Sequence, residues 1–241
     1  MLKDLLITLS FISRLPINLS QIEDFDRRIK RIPCYFTLVG YLPGLIYFVT
    51  GTFSENLTFR IFGIAVGFYL FDLFHFDGLL DMFDGFLNQS DKEKRLQIMA
   101  KGDVGPFAVF YGTLYVIAFY NTFSILDPID FAYASVFARY SMTILLKISK
   151  PAKSTGLGAL LFPPCKLCPL IGILFSTPFL LFSRLKYLVS LFICLLTAFL
   201  VKLISERKID GVTGDVIGGT AMLTQLFILL FMVGIRLWIK Y

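Results

Sequence analysis

Apolar residues along this chain run on between short polar breaks instead of alternating with polar ones. Seven runs approach the ~20 residues needed to cross a bilayer as a helix: 35–53, 60–76, 104–123, 129–148, 169–183, 187–204 and 216–238. Continuous runs without a two-residue alternation predict helices and argue against a transmembrane β-barrel. The second run leads directly into a polar stretch. The fifth is short and carries Pro178, so a broken or tilted segment is expected there. Ahead of them, Leu2, Leu5, Leu6, Leu9 and Ile12 share one helical face and predict an N-terminal interfacial helix. The expected fold class is an all-α, polytopic integral membrane helical bundle with about seven transmembrane helices. No repeat or low-complexity linker divides it, so one domain over 1–241 is expected.

Composition strengthens this reading. The 241 residues are 56% hydrophobic and only 17% charged, where a soluble domain carries about a quarter charged residues. The N-terminus has no small-residue cleavage site and is not read as a signal peptide. Most of the 23 Lys and Arg fall on the side holding residues 1–34 and the loops 77–103, 149–168 and 205–215. The other side holds only Arg60, Arg184, Lys186, Arg236 and Lys240, and Arg139 lies inside a run. Positive charge marks the cytoplasmic side, so a multi-pass protein of the cell membrane is expected, with a cytoplasmic N-terminus. Part of the net charge of +6 then contacts anionic lipid. The four cysteines include one CxxC, Cys165–Cys168, without a second pair or a nearby histidine, and are expected to be free, reduced thiols.

Chemistry concentrates in residues 75–85, which hold His75 (the only histidine) and three aspartates, Asp77, Asp81 and Asp84. On a helix these fall at i, i+4 and i+7, on one stripe. A solvated helix end would mix in Lys, Glu and Ser. An all-carboxylate stripe instead asks for a hard divalent cation, Mg²⁺ or Mn²⁺. A second cluster, Asp210-Gly211-Val212-Thr213-Gly214-Asp215, opens the last run on the same side. Facing each other, the two clusters would line a cavity for Mg²⁺, ringed by Lys and Arg for phosphate, as phosphoryl transfer requires. Arg139, expensive at its depth, is read as pairing either with Asp72 or with a substrate phosphate. Asp103, after Lys101 and Gly102, is read either as a helix cap or as part of a phosphate site. Lys147, Lys150, Lys153 and Gly156-Leu157-Gly158 form a basic loop that suits phosphate, though positive-inside bias alone accounts for it. Residues Asn88–Arg95 read as a solvated surface helix.

These residues resemble a known signature. His75-x-Asp77-Gly78-Leu79-x-Asp81-x-x-Asp84-Gly85 is similar to that of the cobalamin-5′-phosphate synthase (adenosylcobinamide-GDP ribazoletransferase) family. Phe11-Ile12-Ser13-Arg14-Leu15-Pro16 resembles its FxTRLP, and Phe36-Thr37-Leu38-Val39-Gly40 its FPLxG. Ala138-Arg139, Gly156-Leu157-Gly158 and Asp210–Asp215 follow in order. Lys101 stands where the family has the aspartate of Met-x-Asp-x-x-x-Gly, with Asp103 two residues on; Ser13 replaces Thr and Thr37 replaces Pro. The resemblance implies a Mg²⁺-dependent membrane transferase that joins adenosylcobinamide-GDP to α-ribazole, or its 5′-phosphate, and releases GMP. It implies no nucleic-acid partner, and leaves open a homo-oligomer or association with other corrinoid-assembly enzymes. On this reading Asp77, Asp81 and Asp84, joined by Asp215, hold the metal on the pyrophosphate. Asp210 and Asp215 complete the metal shell or take the ribazole proton; His75 and Asp84 are further candidates for proton transfer. Arg14, Arg139, Lys101 and Asp103 contact phosphate. A CDP-alcohol phosphotransferase also carries Asp-Gly…Asp…Asp on membrane helices, but needs an Ala-Arg where this chain has Leu80-Asp81. A cation transporter needs acidic residues deep in several runs, and here only Asp72 lies inside one.

Overall fold

Lipid offers no partner to backbone N–H and C=O groups, so apolar runs satisfy them internally as helices. Each run is helical in the computed structural model, which describes residues 2–18 and 23–240. In chain order the helices are α1 (Leu2–Ile12), α2 (Phe25–Ile29), α3 (Phe36–Val39), α4 (Tyr41–Thr52), α5 (Leu57–Gly67), α6 (Leu73–Leu87), α7 (Lys92–Lys101), α8 (Pro106–Thr122), α9 (Pro128–Ile148), α10 (Leu157–Leu160), α11 (Cys168–Ser176), α12 (Arg184–Ile209) and α13 (Gly214–Lys240). The protein is an all-α membrane bundle. Met1, Tyr241 and the side chain of Lys240, which entered the domain limits and the charge count, lie outside the described residues.

Fewer helices than runs are both long and apolar enough to cross a membrane. Ile32–Thr52, Leu57–Leu87, Arg184–Ile209 and Gly214–Trp238 qualify. α7 and α8 make a fifth only when taken together, and they are bent by 62°. α9 falls short in apolarity because it carries Asp130, Arg139 and Lys147, and it is buried along most of its length. It is the central core helix, packed by α4, α12 and α13. α11 ends at Ser176 and continues only as the 3₁₀ turn Thr177–Leu181, with Pro178 at its start. The break expected at Pro178 is present.

α5 and α6 form one 31-residue helix interrupted by a π turn, Phe68–Asp72. At 1.5 Å per residue this helix measures about 46 Å, against about 30 Å of hydrocarbon. Asp77, Asp81 and Asp84 all lie toward its C-terminal end. Two carbonyls in the π turn find partners elsewhere. Leu70 O accepts the Arg14 backbone N–H (2.8 Å) and Phe71 O accepts from Arg139 Nη2 (3.1 Å).

Ion clusters mark the two ends of the bundle. At one end Asp127, just before α9, binds Lys186 of α12 (3.3 Å) and Arg236 of α13 (2.5 Å). At the other, Asp210 binds Lys92 of α7 (3.4 Å) and Lys150 after α9 (2.7 Å).

α1 buries Asp4, Ile7, Thr8 and Ile12 against neighbouring protein, packs Leu5 and Leu9 partly against the core and leaves Leu2 exposed. The polar Asp4 is accommodated because Arg28 binds it (2.5 Å). The cysteines are not all free thiols, since Cys34 and Cys168 form a disulfide and only Cys165 and Cys194 are free. The fold brings the turn Ile32–Tyr35 against the start of α11, a long-range contact that CxxC spacing does not encode.

Candidate active site

The acidic halves meet because small residues let α6 and α13 touch. A Cβ on Gly78 would lie 2.7 Å from Asp215 O and 2.8 Å from its Cα. One turn further on, Gly218 and Gly219 meet the backbones of His75 and Leu79. Close approach through small residues is a common way for membrane helices to pack. The start of α13 is fixed by Thr213, whose hydroxyl accepts the Val216 N–H (3.3 Å) and donates to Asp215 Oδ2 (3.1 Å). Behind it, Gly211 (φ 154°) lets the chain cross Lys150 and Pro151, where Val212 exchanges backbone hydrogen bonds with Lys150 and Ala152 (2.9 Å each).

The α6–α13 contact borders a cavity of about 770 Å³. Its walls come from α1 (Ile7, Ser10, Phe11, Ile12), α6 (Phe74, His75, Asp77), the segment after α9 that includes α10 (Lys153, Thr155–Ala159 and Leu161) and the segment Val212–Asp215. Asp77 and Asp215 face this cavity together. Asp81, a turn along α6, stands within Coulombic reach of Asp215, Asp77 and Asp84. Among the described residues, Lys153 is the one Lys or Arg lining the cavity. It lies within Coulombic reach of Asp215, and its ammonium donates to Leu96 O (3.3 Å). His75 also lines the cavity and is buried, its Nε2 without a hydrogen-bond partner among the described residues.

Among the described residues only three cysteines bring three possible ligand atoms within 4.8 Å of one another; no carboxylate trio does. Asp77 and Asp215 line the cavity while Asp81 stands a turn along α6, so as placed the three carboxylates make no closed ligand set. Oxygen donors of this kind suit a hard cation that keeps most of its hydration shell.

The sequence profile of the cobalamin-5-phosphate synthase family matches residues 4–233. The chain belongs to that family. It is 54% identical over 235 residues to the adenosylcobinamide-GDP ribazoletransferase of Fervidobacterium nodosum, covering 96% of this chain and 97% of the relative. The enzyme of the same name from Thermosipho africanus is 53% identical, over 96% and 99%. That from Clostridium tetani is 31% identical, over 95% and 96%. No solved structure matches.

Several residues singled out from the sequence stand apart from the cavity. Asp84 is buried and accepts the backbone N–H groups of Gly105 (2.6 Å) and Ala108 (3.0 Å). It caps α8 from outside, the task read from the sequence for Asp103. Asp103 and Lys101 are exposed and pair with each other beside a smaller cavity of about 250 Å³ that also touches Asp84. Asp210 is exposed and turned to Lys92 and Lys150, whose hydrogen bonds hold its carboxyl below the usual carboxylate range. It does not line the large cavity. Arg139 is 1% exposed and binds Asp72. Tyr47 also donates to Asp72 (2.5 Å), so of the two partners open to Arg139 the protein supplies the carboxylate. Arg14 is exposed near the cavity rim, its guanidinium over the rings of Tyr69 (4.6 Å) and Phe74 (5.5 Å).

Sequence reasoning left Lys153 undistinguished within a basic loop, and did not find Arg95 and Lys208. Arg95 donates to Gly85 O and Phe86 O, and Lys208 to Phe86 O (2.9 Å each), which closes the end of α6. Basic residues shortly after a helix end carry some signal for Arg95; nothing in the sequence points to Lys208.

Proposed function

We propose that this chain joins adenosylcobinamide-GDP to α-ribazole or its 5′-phosphate and releases GMP, with the chemistry at the cavity between α6 and α13. The reading rests on the family membership and on one observation above the rest: Asp77, Asp215 and Lys153, from three separate segments, meet at a single cavity.

In this transfer an oxygen of the ribazole substrate bonds to the corrinoid-side phosphorus, and the bond from that phosphorus to the GMP oxygen breaks. Asp77, Asp81 and Asp215 would hold Mg²⁺, which would supply positive charge to the pyrophosphate oxygens. Lys153 offers a cation to the departing GMP phosphate. Asp215, held by Thr213, or His75, with its free Nε2, takes the proton of the incoming hydroxyl. These groups lie toward the polar end of α6, which suits a site at the membrane surface, where water-soluble substrates arrive. The excess of Lys and Arg on this side supports a cytoplasmic cavity and N-terminus.

Purified protein in detergent, given both substrates and Mg²⁺, is expected to release GMP and to stop when EDTA is added. No turnover with Mg²⁺ present overturns the reading. Asp215→Asn and Asp81→Asn retaining full rates would remove the assigned roles. For sidedness, cysteine placed at Ser154 should react with an impermeant label only from the cytoplasm, and at Ser124 only from outside.

A further inference from the structure

Away from the carboxylates, three sulfurs meet. Cys34, in the turn Ile32–Tyr35, and Cys168, the first residue of α11, share a disulfide across a separation of 134 residues. Cys165 brings the third, and all three sulfurs lie within 4.8 Å of one another. Cys34 and Cys168 are buried, whereas Cys165 is a partly exposed free thiol. Main-chain bonds fix this arrangement: Cys165 N–H donates to Lys30 O (2.9 Å) and Cys168 N–H to Cys165 O (3.1 Å). The free thiol is thus built against the bond on both sides.

The geometry points to a thiol–disulfide exchange site in which Cys165 takes over the bond that Cys168 makes to Cys34. The Cys165 thiolate attacks Cys168 Sγ. A Cys165–Cys168 bond forms, the Cys34–Cys168 bond breaks, and its electron pair leaves on Cys34 Sγ. The proton lost by Cys165 is matched by one gained at Cys34. No oxidant or reductant is consumed.

The two pairings restrain the chain differently. Cys34–Cys168 ties the segment that follows α1 to the end of the loop carrying Lys153 through Leu161, and α1 and that loop are both cavity walls. Cys165–Cys168 closes only a local loop and releases the walls. A cross-link over a long loop restrains the chain far more than one over a short loop. Exchange would therefore loosen the cavity mouth, a consequence that rests on the transferase reading. Three thiolates would also suit zinc or another soft cation, but two of these sulfurs are already joined to each other, which favours exchange.

Full-length protein purified in detergent without reductant, acid-quenched, thiol-blocked and digested, reports its pairings by mass spectrometry. Wild type should yield both Cys34–Cys168 and Cys165–Cys168 peptides, and Cys165→Ser only the first. Amide hydrogen exchange over 151–162 should be slower in Cys165→Ser than in wild type, a readout of wall restraint that needs no activity. The site is overturned by wild type with Cys34–Cys168 alone and Cys165 fully alkylated, or by three free thiols holding stoichiometric zinc. Cys34→Ser should give Cys165–Cys168 alone, but the wild-type comparison with Cys165→Ser decides even where that variant fails to fold. If pairing and exchange behave as expected while GMP release is equal in wild type and Cys165→Ser, the exchange site stands and its link to catalysis falls. Absence of GMP release from every form overturns the transferase reading and leaves the pairing result intact.

Discussion

Three aspartates on one stripe of α6 do different work. Asp77 faces the cavity, Asp81 stands among the other carboxylates, and Asp84 holds the start of α8. Asp84→Ala removes the acceptor for two buried N–H groups, so it should cost about 1–2 kcal/mol and lower the thermal midpoint in detergent. The Mg²⁺ concentration for half-maximal GMP release should stay unchanged. Asp81→Ala should do the reverse, raising the Mg²⁺ requirement with the midpoint nearly unmoved. A stripe at i, i+4 and i+7 was legible from spacing alone. Which neighbour each carboxylate meets was not, because periodicity fixes direction around one helix and carries nothing about the helix opposite. Arg139 shows the same limit. Its depth marked it as costly, but both readings open at that stage satisfied the cost, and the choice needed the position of Asp72.

At the scale of elements, the site is a contact between two helices whose backbones nearly touch. A methyl group at Gly78 would collide with Asp215 O and Cα, atoms that cannot swing aside as the end of a side chain can. Gly78→Ala should therefore leave helix content by circular dichroism intact while separating Asp77 from Asp215. A misplacement of ~1 Å at a reacting centre costs on the order of 10²-fold in rate, and GMP release should fall by about that much. The seven apolar runs located the major helices because burial in lipid and burial in protein select the same residues. For that reason the runs could not show that α9 is enclosed by its neighbours and not by lipid. The Asp210-Gly211 pair was legible as a special backbone site. Its purpose, a left-handed turn at Asp210 (φ 61°) followed by a crossing over Lys150, involves a loop about 60 residues away and so was not.

For the molecule as a whole, the ion cluster at Asp210 closes the end of the bundle that holds the cavity. Lys150 and Lys92 lower the carboxyl pKa of Asp210, so their contribution is present above the ordinary value of about 3.9 and is lost as pH falls through the lower folded value. Asp210→Asn should be less heat-stable than wild type at pH 7, the gap narrowing to nothing below that range. The effect should be small and weakened by salt, because the pair is solvent-exposed. The π turn at Phe68–Asp72 has a further consequence for a helix whose two ends are held. One residue amounts to about 100° of rotation about the axis. Deleting Tyr69, an exposed residue of that turn, would let ordinary α-helix run straight through. Everything beyond would turn by about 100° relative to α5, swinging Asp77 and Asp81 off the face they share with Asp215. Such a protein should still insert into the membrane at full length and release no GMP. The extra residue in the turn acts as the dial that aims an otherwise ordinary membrane helix at its partner.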